Sequence, residues 1–133
     1  MKISLGSWAF SFGPYASNPV GFDKTAARLA AAGFDGIEVC GFPPHVTLSA
    51  YPTAESRRAL MNFLRNLNLE VSGYAADFTM ANPVTAGTED KYLEVFKQNL
   101  DMAIALNSPQ SASIPLPRPA RCSTPNIKVR WTA

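Results

Sequence analysis

Glu38, His45 and Asp77 are the side chains whose chemistry stands out from their surroundings. Each ends or follows a short apolar run of strand character, and a carboxylate or imidazole placed there can accept a proton, donate one or bind a hydroxyl. Glu38 alternates with Ile37 and Val39. It therefore points either into an open site at the strand end or toward a neighbouring Lys or Arg. His45 is the only histidine and sits in the Pro43-Pro44 loop, where a hydrogen-bonded or surface role competes with a ligand-facing one. Asp77 suits the capping of a turn as well as a site. The three share no local spacing motif of a metal centre. A second feature is the loop over residues 6–15, which carries Trp8, Phe10, Phe12 and Tyr15. Four aromatics either close the end of a core or form a hydrophobic wall for a ligand. Cys40, within a strand, reads as an inert buried thiol.

The elements that must position these residues follow from periodicity. Lys2-Ile3-Ser4-Leu5-Gly6 alternates as a strand. Asp23 is the expected N-cap of a helix running through Ala32, with Ala26, Ala27, Leu29 and Ala30 as its small apolar face. Gly33 supplies the left-handed exit. Ile37, Val39 and Cys40 form the second strand. Thr53 caps the second helix; Leu60, Phe63, Leu64 and Leu67 are its buried stripe, and Arg57, Arg58 and Arg65 its exposed side. Leu69, Val71 and Tyr74 mark the third strand. Thr88 caps a third helix whose apolar face is Tyr92, Val95, Phe96, Leu100, Ala103 and Ile104, with Asn107 taking the left-handed exit.

One phrase recurs. Glu38-Val39-Cys40-Gly41 and Glu70-Val71-Ser72-Gly73 match at three of four positions, 32 residues apart. A helix–turn–strand unit at that period indicates an α/β repeat. Residues 1–108 thus read as β-α-β-α-β-α with no hairpin signal, which requires parallel strands joined by crossovers. A dinucleotide-binding sheet would place G-x-G-x-x-G after the first strand. Here that turn is Gly6-Ser7-Trp8-Ala9-Phe10-Ser11, bulky where a pyrophosphate needs bare backbone. No Walker loop is present. The expected fold class is α/β, a partial (β/α)8 barrel comprising its first three βα units.

Composition narrows the class. The 133 residues are 47% hydrophobic and 17% charged, a globular composition with enough chain for a core. No run approaches the ~20 apolar residues of a membrane span, and the N-terminus lacks a secretory h-region. Two cysteines without metal spacing fit a reduced, cytoplasmic protein. The net charge of +2 conceals a split. Residues 1–108 hold eight Lys or Arg against ten Asp or Glu. Residues 109–133 hold four basic residues, no acid and five of the eleven prolines. Pro115, Pro117 and Pro119 alternate where a fourth strand is due, and proline cannot occupy a central strand.

Ile3-Ser4-Leu5-Gly6, the phrase Ala32-Gly33-Phe34-Asp35-Gly36-Ile37-Glu38-Val39, and the helix leading into Leu69-Glu70-Val71-Ser72-Gly73 resemble the xylose isomerase-like TIM-barrel superfamily, in its sugar phosphate isomerase and epimerase branch. The resemblance covers about residues 2–108. It implies metal-assisted proton transfer beside a sugar carbonyl, in which a divalent ion (Mn, Mg, Co or Zn) polarises oxygens and a carboxylate moves the proton. The resemblance places the metal ligands, Glu, Asp, His and Glu, on later strands, so no metal or catalytic residue is expected in this sequence. It carries over Trp8, Phe10, Glu38, His45, Tyr74 and Asp77 as substrate-lining groups.

The resulting expectation is the N-terminal part of a metal-dependent sugar or sugar phosphate isomerase or epimerase, inactive alone, with residues 109–133 a Pro- and Arg-rich tail that is disordered or out of frame. Three strands cannot close a barrel, so self-association through the exposed sheet edge is expected. One alternative is a small non-catalytic binding module using the aromatic loop and the basic tail. A weaker one is an endonuclease-type member of the same superfamily, disfavoured by the slightly acidic residues 1–108. Neither nucleic acid nor membrane is an expected partner.

Overall fold

A computed structural model describes residues 1–79, 81 and 87–108. The Pro- and Arg-rich stretch from 109 onward, with every expectation placed on it, lies outside the described residues. Strands β1 (Ser4–Gly6), β2 (Gly36–Cys40) and β3 (Glu70–Ala75) alternate with helices α1 (Phe22–Ala31), α2 (Ala54–Asn66) and α3 (Glu89–Ala105). The strands form one parallel sheet in the order β1-β2-β3, as the alternating pattern requires.

One face of the sheet carries the core. Ile37 and Val39 of β2 and Val71 and Tyr74 of β3 pack with Phe22, Ala26 and Leu29 of α1, Leu60 and Leu64 of α2, and Met102 and Ala103 of α3. Burying a side chain of this size is worth about 1.5–3 kcal/mol. The other face carries Glu38 and Cys40, the alternate residues of β2.

The turns follow local chemistry. Gly33 leaves α1 at φ +81° and Asn107 leaves α3 at φ +49°, the conformation that favours these residue types. Thr53 caps α2 in a reciprocal box: its Oγ1 accepts from the Ser56 amide at 3.1 Å, and the Thr53 amide donates to Ser56 Oγ at 3.2 Å. Asp23 is not the cap of α1. The helix starts two residues earlier than that cap implies, at Phe22 with Gly21 as its N-cap, because Phe22 buries its ring in the core, and Asp23 falls in the first turn. Thr88 is the N-cap residue of α3 but makes no side-chain cap bond.

Two expectations about faces are corrected. On α3 the buried residues are Asn99, Met102 and Ala103, while Phe96, Leu100 and Ile104 remain 39%, 42% and 68% exposed. Asn99 draws that face inward through polar partners: Tyr74 Oη donates to its Oδ1 at 3.0 Å, and its amide donates to the Asp77 carbonyl at 3.3 Å. The repeated Glu-Val phrase is also not a structural repeat. Glu70 pairs with Gly36 at the start of the strands, whereas Glu38 pairs with Gly73 toward their ends. Glu70 is exposed and forms an ion pair with Lys2.

Candidate functional site

A row of three residues crosses the sheet: Gly6 on β1, Glu38 on β2 and Gly73 on β3. The two glycines leave the Glu38 side chain room on both sides. A Cβ added at Gly73 would stand 3.4 Å from Glu38 Cγ, and one added at Gly6 would overlap the Trp8 indole. Trp8 lies in a 3-10 turn, Ser7–Phe10, that leaves β1 directly. Its Nε1–H donates to Glu38 Oε2 at 2.7 Å, a short charge-assisted bond. Trp8 is 43% exposed and Glu38 half-buried. The result is an indole and a carboxylate bonded to each other between two glycines, at the end where parallel α/β sheets bind ligands.

Asp77 follows β3 and is half-buried. Its Oδ1 accepts from the Thr79 amide at 2.8 Å and from Thr79 Oγ1 at 2.7 Å, so this oxygen closes a turn. Cys40 lies two residues beyond Glu38 and is fully buried. Burial pushes its thiol pKa up, the Phe42 backbone partly offsets this, and Asp77 and Glu38 add to the rise. The thiol is held in its unreactive, protonated form.

The remaining candidates lie elsewhere. Phe10 packs against the core and tilts onto Tyr15 at a centroid distance of 5.5 Å. Tyr74 is 1% exposed and stands on the helix-facing side of β3. Its position follows from a register shift between Ile37 and Glu38: Val71 pairs with Ile37 and Gly73 with Glu38, leaving Ser72 without a partner. A bulge of one residue turns every later side chain to the other face, so Tyr74 moves from the open side to the helices. Burial, reinforced by Asp77, drives its phenol pKa far above the usual range.

His45 is 3% exposed, and both ring nitrogens are engaged internally. Nε2 lies 2.9 Å from the Val20 carbonyl and 3.1 Å from Ser11 Oγ; Nδ1 lies 3.1 Å from Ser7 Oγ. Burial lowers its pKa, partly offset by the Val20 carbonyl. Ser7, Ser11, Gly6, Gly73 and Asn99 are the contributors that residue type alone did not flag. The glycines carried a signal, being the residues that end β1 and interrupt β3.

Among the described residues no group of three or more His, Cys, Asp or Glu is arranged to hold a metal ion. The nitrogens of His45 are committed to internal bonds, and one Glu38 oxygen to Trp8. These residues do not by themselves fit the divalent ion implied by the resemblance. Among the described residues no helix is long and apolar enough to cross a membrane.

No family model matches the sequence, and no curated protein matches it. Among solved structures, the chain is similar to the probable 3-DHS dehydratase AsbF involved in petrobactin synthesis from Bacillus anthracis, with a TM-score of 0.58 at 21% identity. That protein is a xylose isomerase-like TIM-barrel enzyme. The match covers 84% of this chain and 37% of that one, so the chain spans little more than a third of the length of its structural neighbour. The likeness shows the fold: a three-stranded parallel α/β unit consistent with part of such a barrel.

Proposed function

We propose that these residues form the first three βα units of a xylose isomerase-like enzyme acting on a sugar or sugar phosphate, and that Trp8 and Glu38 make one wall of its substrate pocket. The observation that carries the reading is the 2.7 Å bond from Trp8 Nε1 to Glu38 Oε2 over the glycine row. An indole face packs against the C–H faces of a sugar, and a carboxylate that engages only one oxygen among the described residues accepts hydroxyl hydrogen bonds. The pair is fixed before ligand arrives, so little ordering entropy is lost on binding. In this reading these residues bind and orient substrate, and the proton-transfer step is not theirs. In this reading the segment contributes substrate recognition.

Isothermal titration of the chain with a panel of aldoses, ketoses and their phosphate esters tests this. Weak binding that falls about tenfold or more in both Trp8→Ala and Glu38→Gln is expected, a loss of about 1.4 kcal/mol. Binding unchanged by either substitution, or no binding by any member of the panel, contradicts the assignment.

A further inference from the structure

We propose that His45 is a positioning residue for the Trp8–Glu38 wall, acting through Ser7, and that protonation of its ring releases Trp8 from Glu38. The inference rests on the reading of that pair as the ligand-facing wall, but its test uses the free protein.

The bonds fix the arrangement. A carbonyl oxygen only accepts, so the 2.9 Å contact of Nε2 with the Val20 carbonyl places the ring proton on Nε2. In the neutral ring Nδ1 is then bare and accepts from the Ser7 hydroxyl at 3.1 Å. Ser7 Oγ in turn accepts the Cys40 amide at 2.9 Å. Ser7 is fully buried and immediately precedes Trp8. One imidazole therefore joins the turn carrying Trp8, the segment entering α1, and the loop after β2, and the bond from the Cys40 amide to the Ser7 hydroxyl ties that turn to the strand carrying Glu38. The Val20 amide also donates to the Phe10 carbonyl at 3.0 Å, closing the same ring of contacts.

Protonation reverses one link. A second ring proton on Nδ1 would point at Ser7 Oγ, and the Ser7 hydroxyl would lose its buried acceptor. The groups facing the ring offer little compensation. The turn presents Ser7 and Ser11, β2 presents the Cys40 backbone, and α1 presents the Phe22 ring at 5.9 Å, edge-on. The titratable neighbours are Asp23, Lys24 and Tyr51, which share with His45 a cleft of about 570 Å³. None of the three is bonded to the ring.

Nitrogen-15 NMR in a Trp131→Phe background leaves the Trp8 indole as the sole indole signal. His45→Ala is expected to move its N–H resonance away from the hydrogen-bonded position and to speed its solvent exchange about tenfold. His45→Asn, which keeps an acceptor for Ser7, is expected to restore it. Leu29→Ala, a core truncation at a side chain that makes none of these bonds, leaves it in place and controls for general loosening. Glu38→Gln keeps an indole acceptor that does not titrate. In that variant the resonance should move as pH falls from about 7.5 to about 4.5, and adding His45→Asn should abolish the movement. A resonance unchanged in His45→Ala, or flat with pH in Glu38→Gln, overturns the proposal. If His45→Ala does not fold, the pH comparison decides.

Discussion

Gly73, not Ser72, stands opposite Glu38. The single unpaired residue sets which side chains of β3 face the open side of the sheet and which face the helices. It gives Glu38 a neighbour without a side chain and sends Tyr74 to α3. The candidate site owes its shape to this offset as much as to the acid itself.

The two glycines beside Glu38 should respond differently to alanine. Gly6 has φ −71° and ψ 126°, which any residue adopts, yet a methyl there overlaps the Trp8 indole. Gly6→Ala should fold with Trp8 displaced, showing red-shifted fluorescence and a stability loss of about 1–3 kcal/mol. At Gly73 a methyl meets Glu38 Cγ at an ordinary contact distance of 3.4 Å. Gly73→Ala should therefore change Trp8 fluorescence little. Denaturation followed by fluorescence compares the two.

His45 should make stability fall on mild acidification. Its pKa is lowered in the fold by burial, so below its ordinary value of about 6.5 the unfolded chain takes up a proton that the folded chain resists. Stability is full above that pH and declines as pH drops from it toward the folded pKa. Urea midpoints measured across that window should fall in the wild type, and His45→Asn should lack this component.

Tyr74 and Asn99 form the buried polar tie between β3 and α3. Tyr74→Phe removes the 3.0 Å bond to Asn99 Oδ1 and leaves that acceptor buried, at a cost of about 1–2 kcal/mol. The raised phenol pKa carries a second outcome. In an alkaline titration followed by phenolate absorbance, the Tyr74 component should ionise only when the chain unfolds.

Helix α3 leaves Leu93, Phe96, Leu100 and Ile104 exposed along one stripe, and β3 has no second partner strand among the described residues. We propose that a second copy covers the stripe. Lys97 and Asp101 flank the same edge of it at i and i+4. An antiparallel copy places Lys97 of each chain across from Asp101 of the other, as a twofold contact requires. Sedimentation velocity should show a concentration-dependent dimer that Leu100→Lys converts to monomer. Lys97→Glu should weaken the dimer and Lys97→Glu with Asp101→Lys should restore it. A wild-type monomer at high concentration contradicts the pairing.

The alternation of strands and helices was legible because apolar periodicity, Gly33, Asn107 and the Thr53 cap are local signals. The proximity of Trp8 to Glu38 followed only in outline, from both residues lying at strand ends; no local pattern encodes a bond across 30 positions. Tyr74 was misplaced because a bulge at Ser72 is a property of two strands in register. The α3 face was misread because Asn99, polar and buried, interrupts the apolar rhythm that identifies a core face. His45 was ambiguous for a similar reason: Ser7, Ser11 and Val20, which satisfy its ring, lie 38, 34 and 25 residues away.

The most direct measurement of the central claim is chemical-shift mapping of the nitrogen-15-labelled chain against free and phosphorylated aldoses and ketoses. A sugar that binds as proposed should move the Trp8 indole and the amides of Gly6, Glu38 and Gly73 together, leaving Glu70 and the exposed stripe of α3 unmoved. If sugars move none of these signals, or act instead on residues away from the glycine row, Trp8 and Glu38 do not form a substrate wall.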